Sequence, residues 1–282
     1  MLKLARSAAV LLACMLLGSG ALGQGTEDRL RLARALAAQS GLDFQSRQLD
    51  GHMTGALEQH RQGLPPPVYA ALRDAAGRAF DGAQIAEAVV RAVSQALPEG
   101  TLREAMAWYA APLGEKITNA EVAASGPLAA AMVPEYAKYL KANPPSKRRL
   151  ELANQLLDVT HAMDYAAGIA EAVAVGTTLG LSPLMPPEKR PKEADLRRTF
   201  RAEFAKAGKS VRETMVVSAL YAYGSVSEAD LAAYVKFLRS PAGSKYQDAA
   251  TRAVAAEIAR RSLEMARFAA EALVAQQGRK QR

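Results

Sequence analysis

One cysteine, Cys14, is the whole thiol content of the 282 residues. It falls within the first 23, so a chain that sheds that segment has none left. Disulfides, thiolate nucleophiles and cysteine-based metal or iron–sulfur sites are then excluded. Stability must come from an apolar core, which a chain this long can bury. Histidine is scarce too, at His52, His60 and His161, and Trp108 is the lone tryptophan among 6% aromatics. Alternating runs of Val, Ile, Thr and Tyr are missing, which removes the usual signature of strands. H-E-x-x-H, G-x-S-x-G and G-x-x-x-x-G-K-[ST] are all absent, so none of these motifs offers a metalloprotease, serine-hydrolase or phosphate-loop site. Long single-sign charge runs are lacking as well, although the net charge is +8.

The first segment, Met1 to Gly23, carries Lys3 and Arg6, an apolar run from Ala8 to Leu17 and the small exit Ala21-Leu22-Gly23. A basic start, an apolar run of about 7–15 residues and small residues at the exit describe a secretory leader, expected here over 1–23 with Gln24 first after cleavage. The run falls short of the roughly 20 residues a membrane span needs, so no transmembrane helix is expected in the mature chain. Leu11-Leu12-Ala13-Cys14 resembles a lipoprotein acylation box. Against that, the apolar run continues past Cys14, which reads better as a small hydrophobe within it. The expected location is periplasmic or secreted. Losing Lys3 and Arg6 lowers the charge to +6.

What remains is rich in Ala, Leu, Arg, Glu and Gln, all strong helix formers, and the expected fold class is all-α. The last long segment shows the pattern. Tyr246, Ala250, Val254, Ile258, Met265, Phe268 and Ala272 form one apolar stripe at helical spacing. Glu257/Arg261, Arg260/Glu264 and Arg267/Glu271 are expected to solvate the outer face; such pairs contribute only about 0.2–0.5 kcal/mol each. Helix starts are signalled by Asp81, Ser146 and Ser227, each a side-chain cap. Pro65-Pro66-Pro67 and Pro183 to Pro191 read as stiff extended loops.

Two stretches echo each other: W-Y-A-A-P-L-G-E-K-I from Trp108 and F-L-R-S-P-A-G-S-K-Y from Phe237. Pro112 and Pro241, Gly114 and Gly243, Lys116 and Lys245, Leu102 and Leu231, and Glu99 and Glu228 all lie 129 residues apart. Upstream, Leu36 with Leu156 and Phe80 with Phe200 lie 120 apart, which implies about nine extra residues in the second copy between Phe200 and Val226. These registers read as tandem helical repeats over 26–142, the diverged copy, and 146–276, with a basic tail at 277–282. The signature residues are Trp108, Pro112, Gly114, Lys116, Phe237, Ser240, Pro241, Gly243 and Lys245. Ser240-Pro241 suits a cap followed by the first helical position, and the proline stops the helix before it. The glycine admits the preceding helix closely, the aromatic packs over the corner, and the lysine is expected to snorkel along its own helix. Ala111 replaces Ser240 in the first copy, and Gly126-Pro127 and Pro134 interrupt the helix that follows, so the first copy should be more kinked.

The pattern of acidic helix start, leucine turn and aromatic-x-x-S-P-x-G-x-K resembles the bacterial exported family catalogued as domain of unknown function 2059. Leu231 to Tyr246 carries the better match, and Leu102 to Ile117 a diverged second copy. The resemblance implies a helical, periplasmic domain and supplies no reaction, cofactor or catalytic residue.

Two weaker constellations remain. If Asp158, His161 and Asp164 share one helical face, they could serve a metal-dependent or acid/base hydrolase. Tyr221, Tyr223 and Tyr234 beside Lys236 and Arg239 could make an aromatic, basic surface for glycan or nucleic acid. The basic clusters could also meet anionic lipid or polysaccharide. The leading expectation is a non-enzymatic, envelope-associated binding or scaffold module, with no cofactor and no specific nucleic-acid partner.

Overall fold

A computed structural model of the protein describes residues 25–280, and these are all-helical, with thirteen α-helices and no strand among them. The expected leader, Cys14 included, lies outside the described residues. The helices are α1 (25–39), α2 (Leu42–Arg47), α3 (Leu49–Gln59), α4 (Pro66–Ala79), α5 (Gly82–Ala96), α6 (Glu99–Tyr109), α7 (Pro112–Ala124) and α8 (Pro127–Ala142). Then follow α9 (Lys147–Val159), α10 (Ala162–Leu181), α11 (Glu193–Ala222), α12 (Glu228–Leu238) and α13 (Pro241–Lys280).

Starts and stops follow local chemistry. Asp81, Ser146 and Ser227 accept hydrogen bonds from the amides of Gln84, Arg149 and Asp230 at 3.0, 2.9 and 3.1 Å. Each satisfies an amide that has no partner inside its own helix. Ser240 does the same for Gly243 at 3.1 Å, whereas Ala111 offers no such cap to α7. The triple proline is no extended loop. Pro65 precedes α4, and Pro66 and Pro67 open it, where a fixed φ and a missing donor cost nothing. Between α10 and α11 the chain makes two short 3-10 turns, Ser182–Leu184 and Pro187–Lys189, in place of one extended run.

The forty-residue α13 is the spine, packed along α10, α4, α5 and α6. Its contact stripe is largely as the spacing indicates: Tyr246, Ala250, Ile258 and Met265 are buried, and Val254, Phe268 and Ala272 half-buried against the core. Gly180 lets α10 approach α13 so closely that an added Cβ would run into Ala266. The stretch Ala162–Leu184 is long and apolar enough to cross a membrane by length and composition, but one side of α10 lies against α13. Its Glu171 is held by Arg197 and Arg201, both at 2.7 Å.

One charge runs against expectation. Arg261 does not solvate an outer face; it is buried, and its guanidinium donates to the Ala79 carbonyl at 2.9 Å with Gln84 beside it. The carbonyls of the last helical turn lack intrahelical donors, and the end of α4 obtains one from α13. Arg149 does comparable work, donating to the carbonyls of Tyr223 (2.8 Å) and Val226 (2.6 Å) in the α11–α12 turn.

The two Pro-initiated corners are built alike. A Cβ on Gly114 would meet the Trp108 carbonyl oxygen and lie 2.5 Å from Tyr109 Cα. On Gly243 it would meet the Phe237 carbonyl oxygen and lie 3.1 Å from Leu238 Cα. The corners also face each other, since Trp108 and Phe237 stack with centroids 4.0 Å apart and planes 4° from parallel. Leu102 and Leu231 are both buried. Beyond the corners the likeness fades. After α7 the chain breaks at Ser125-Gly126 and α8 carries Pro134 internally, whereas α13 runs on unbroken. Phe80 caps the end of α4 in the core, but Phe200 lies within the continuous α11.

Candidate functional site

The corner packing leaves a cavity of about 750 Å³ beside it. Its walls come from both halves of the chain: Val133 from α8, Leu156 from α9, Ile169 from α10, Met215 from α11 and Ile258 from α13. These are apolar, and the volume falls in the range of about 300–1,000 Å³ typical of small-molecule sites.

Polar groups line the cavity as well, and one set of them is hydrogen-bonded together. Glu121 on α7 extends the buried face of Gly114, Ile117 and Thr118 by one more turn. Its Oε1 accepts hydrogen bonds from the phenols of Tyr223 (2.5 Å) and Tyr234 (2.8 Å). Tyr109 and Tyr246 stand beside them in edge contact, centroids 5.7 Å apart, and the Tyr246 hydroxyl pairs with Ser40 Oγ at 2.5 Å. All these residues line the cavity, and Glu121 is half-buried. Among the described lining residues Glu121 is the one acid, and no lysine or arginine is present. Ser46, also on the wall, is buried with no hydrogen-bond partner for its hydroxyl.

Burial drives the electrostatics. Desolvation raises the Glu121 carboxyl above its ordinary value, against the two phenol bonds, which favour the ionised form. Burial first, then the nearby Glu121 charge, lifts Tyr109, Tyr223 and Tyr234 well above a normal phenol. Tyr246 is also raised, and Tyr165 on the same wall is pushed up to about 12 by desolvation. The phenols therefore stay neutral donors through the physiological range. Glu171 shows the contrasting case, lowered chiefly by its bond to Arg201.

A stability signature follows. A carboxyl raised on folding binds more protons in the native than in the unfolded state, so its contribution is full below the ordinary carboxyl range and is lost as pH rises through the raised value. Glu121→Gln keeps an acceptor for both phenols and removes that titration. Relative to the wild type, the variant should gain stability as pH is raised from the ordinary carboxyl range through the raised value and then level off, as read by urea midpoints between about pH 4 and 8. A difference constant across that range would mean the carboxyl is ordinary.

Of the residues singled out from sequence, Tyr221, Tyr223 and Tyr234 line the cavity, and most of the others are placed elsewhere. Lys116 does not snorkel along its helix; it reaches across to Asp230 at 2.6 Å, beside a shallower hollow that also includes Pro112. Lys245 is exposed on α13. Glu99 pairs with Arg103 at 2.6 Å, and Glu228 accepts from Ser146 Oγ at 2.5 Å, so these repeated charges do not converge. Trp108, stacked on Phe237 and Tyr234, packs at the corner.

His161 breaks the helical face proposed for it. Its φ of 50° lies in the left-handed region between α9 and α10, and Asp158 is held by Arg212 at 2.8 Å. No group of three or more His, Cys, Asp or Glu suited to a metal occurs among the described residues. Tyr223 and Tyr234 make no aromatic, basic surface, because both are buried with their phenols on Glu121. Glu121 and Tyr109 were not anticipated. The signal was available: 129 residues on from Glu121 stands Ala250, part of the apolar stripe, so half-buried Glu121 is an acid at a position that is apolar in the other register. No protein family, curated protein or solved structure matches the chain.

Proposed function

We propose that the protein is an exported, non-enzymatic helical module, formed by tandem duplication of a Pro-cornered unit, that binds a small apolar molecule between its halves. The carrying observation is the cavity of about 750 Å³, walled by apolar side chains from both halves and holding the Glu121–tyrosine cluster. Export is supported by the leader-like first 23 residues and by the resemblance to the exported family. Duplication is supported by the 129-residue register and by the twin corners. A non-enzymatic role accords with the scatter of the titratable residues that recur in both halves.

The test uses N-phenyl-1-naphthylamine, an apolar dye that brightens out of water. The full chain should bind it saturably at one site. Ala219→Trp, which fills the cavity from α11, should weaken that binding at least tenfold while retaining the helical circular-dichroism spectrum. Dye that binds without saturation, or equally to the variant, overturns the reading. Export is tested separately by fractionating cells that express the chain; retention of an uncleaved chain in the cytoplasm would defeat it.

A further inference from the structure

Buried Glu171 and half-buried Glu257 are each matched by two arginines. Glu171 has Arg197 and Arg201, each at 2.7 Å, and Glu257 has Arg260 at 2.7 Å and Arg261 at 3.4 Å. Glu121 alone among these enclosed carboxyls has only phenols, although the sequence carries 36 Lys and Arg against 28 Asp and Glu. Both phenols donate to Oε1, and no described side chain donates to Oε2. A carboxylate taken out of water without a counter-charge is costly, and this site withholds the cation that the rest of the protein supplies freely.

Resting on the cavity-binding reading, we propose that the ligand is a cationic amphiphile, an apolar chain or ring system bearing an ammonium-type head that pairs with Oε2 of Glu121. The aromatic rings beside the carboxyl suit such a head, since their faces attract cations, and the apolar walls from α8, α10, α11 and α13 accept the tail. An anionic head is disfavoured by the Glu121 charge and by the want of Lys or Arg in the lining. An uncharged alcohol would leave the carboxylate unpaired. Charge sign, more than shape, sets the selectivity.

Decylamine, decanol and decanoate share one tail and differ in the head. Titrated calorimetrically into the full chain at pH 7.5, below their aggregation limits, decylamine should bind at least tenfold more tightly than the other two. Glu121→Gln should abolish the preference, bringing decylamine down to the level of decanol without weakening decanol. Glutamine still accepts from both phenols, so the variant should keep its fold. Should it not, a His52→Gln chain with Glu121 intact supplies the same comparison: decylamine affinity should fall as pH is lowered through the raised titration of Glu121, and decanol affinity should not. Over that range Tyr109, Tyr165, Tyr223, Tyr234 and Tyr246 stay neutral. The His52→Gln substitution takes the imidazole off the same wall. Equal binding of the three compounds, or decylamine binding indifferent to Glu121→Gln, overturns the head-group assignment and leaves the cavity reading standing. Binding by none of the three defeats both.

Discussion

Gly243→Ala should destabilise the protein by about 3 kcal/mol or more, although alanine is the better helix former by about 1 kcal/mol. The added methyl would meet the Phe237 carbonyl oxygen and lie 2.8 Å from its carbon, so every atom in the way is backbone. A side chain could rotate aside, but here α12 itself must retreat from the first turn of α13. That retreat would pull Phe237 off Trp108 and shift Tyr234 with its bond to Glu121. Gly114→Ala should behave alike, because Trp108 and Tyr109 present the same backbone obstacle. Gly208→Ala is the control. It lies within α11 with nothing within 4 Å of its added Cβ, and should gain up to about 1 kcal/mol. Urea unfolding of the three variants decides the matter. A Gly243→Ala chain as stable as Gly208→Ala would show that the corner does not demand glycine.

Those glycines were legible because their constraint is local. Pro, Gly and a capping hydroxyl fix a bend within a few residues, and the same bend appears wherever the spacing recurs. The caps at Asp81, Ser146, Ser227 and Ser240 were readable for the same reason, as was the break after α7, with Gly126 before α8 and Pro134 inside it. The match of Phe80 to Phe200 carried less, because a lone aromatic in a register says nothing about its backbone: one ends a helix and the other lies within one. The triple proline misled through composition, which cannot tell a rigid spacer from a helix start. Glu121 stayed hidden for another reason. Its importance arises from phenols 102 and 113 residues away, brought together only when α7 meets the end of α11 and α12. Lys116, by contrast, recurs conspicuously and pairs with Asp230 at a partly exposed site, where an ion pair contributes little. Repetition marked the corner, and the site lies at an acid that is not repeated.

Arg261 exposes the limit of charge periodicity, and its removal carries the second large expected effect. Glu257 and Arg261 look like a solvated i, i+4 pair, worth a few tenths of a kcal/mol. In the fold the Arg261 side chain is 8% exposed, lies 3.4 Å from Glu257, and donates to Ala79 O, 182 residues away. Arg261→Ala would leave that carbonyl unsatisfied, open a void between α13 and the α4–α5 junction, and strip Glu257 of one of its two arginines. Breaking a buried charge pair costs about 3–5 kcal/mol when the remaining charge is orphaned. Arg260 stays on Glu257 at 2.7 Å, which places the expected loss near the lower end of that range, about 3 kcal/mol. Arg261→Met separates the contributions. It refills most of the space and restores no donor, so it should recover part of the loss and retain the roughly 1–3 kcal/mol owed to the unpaired carbonyl. Denaturant midpoints of the two variants measure both parts. If Arg261→Ala shifts stability by no more than a surface substitution, about 0.5 kcal/mol, the guanidinium is solvated as the charge pattern suggests. A loss near 3 kcal/mol would instead mean that α13 reads the end of α4 through this one side chain, which sets the angle at which the first half of the chain lies against the spine.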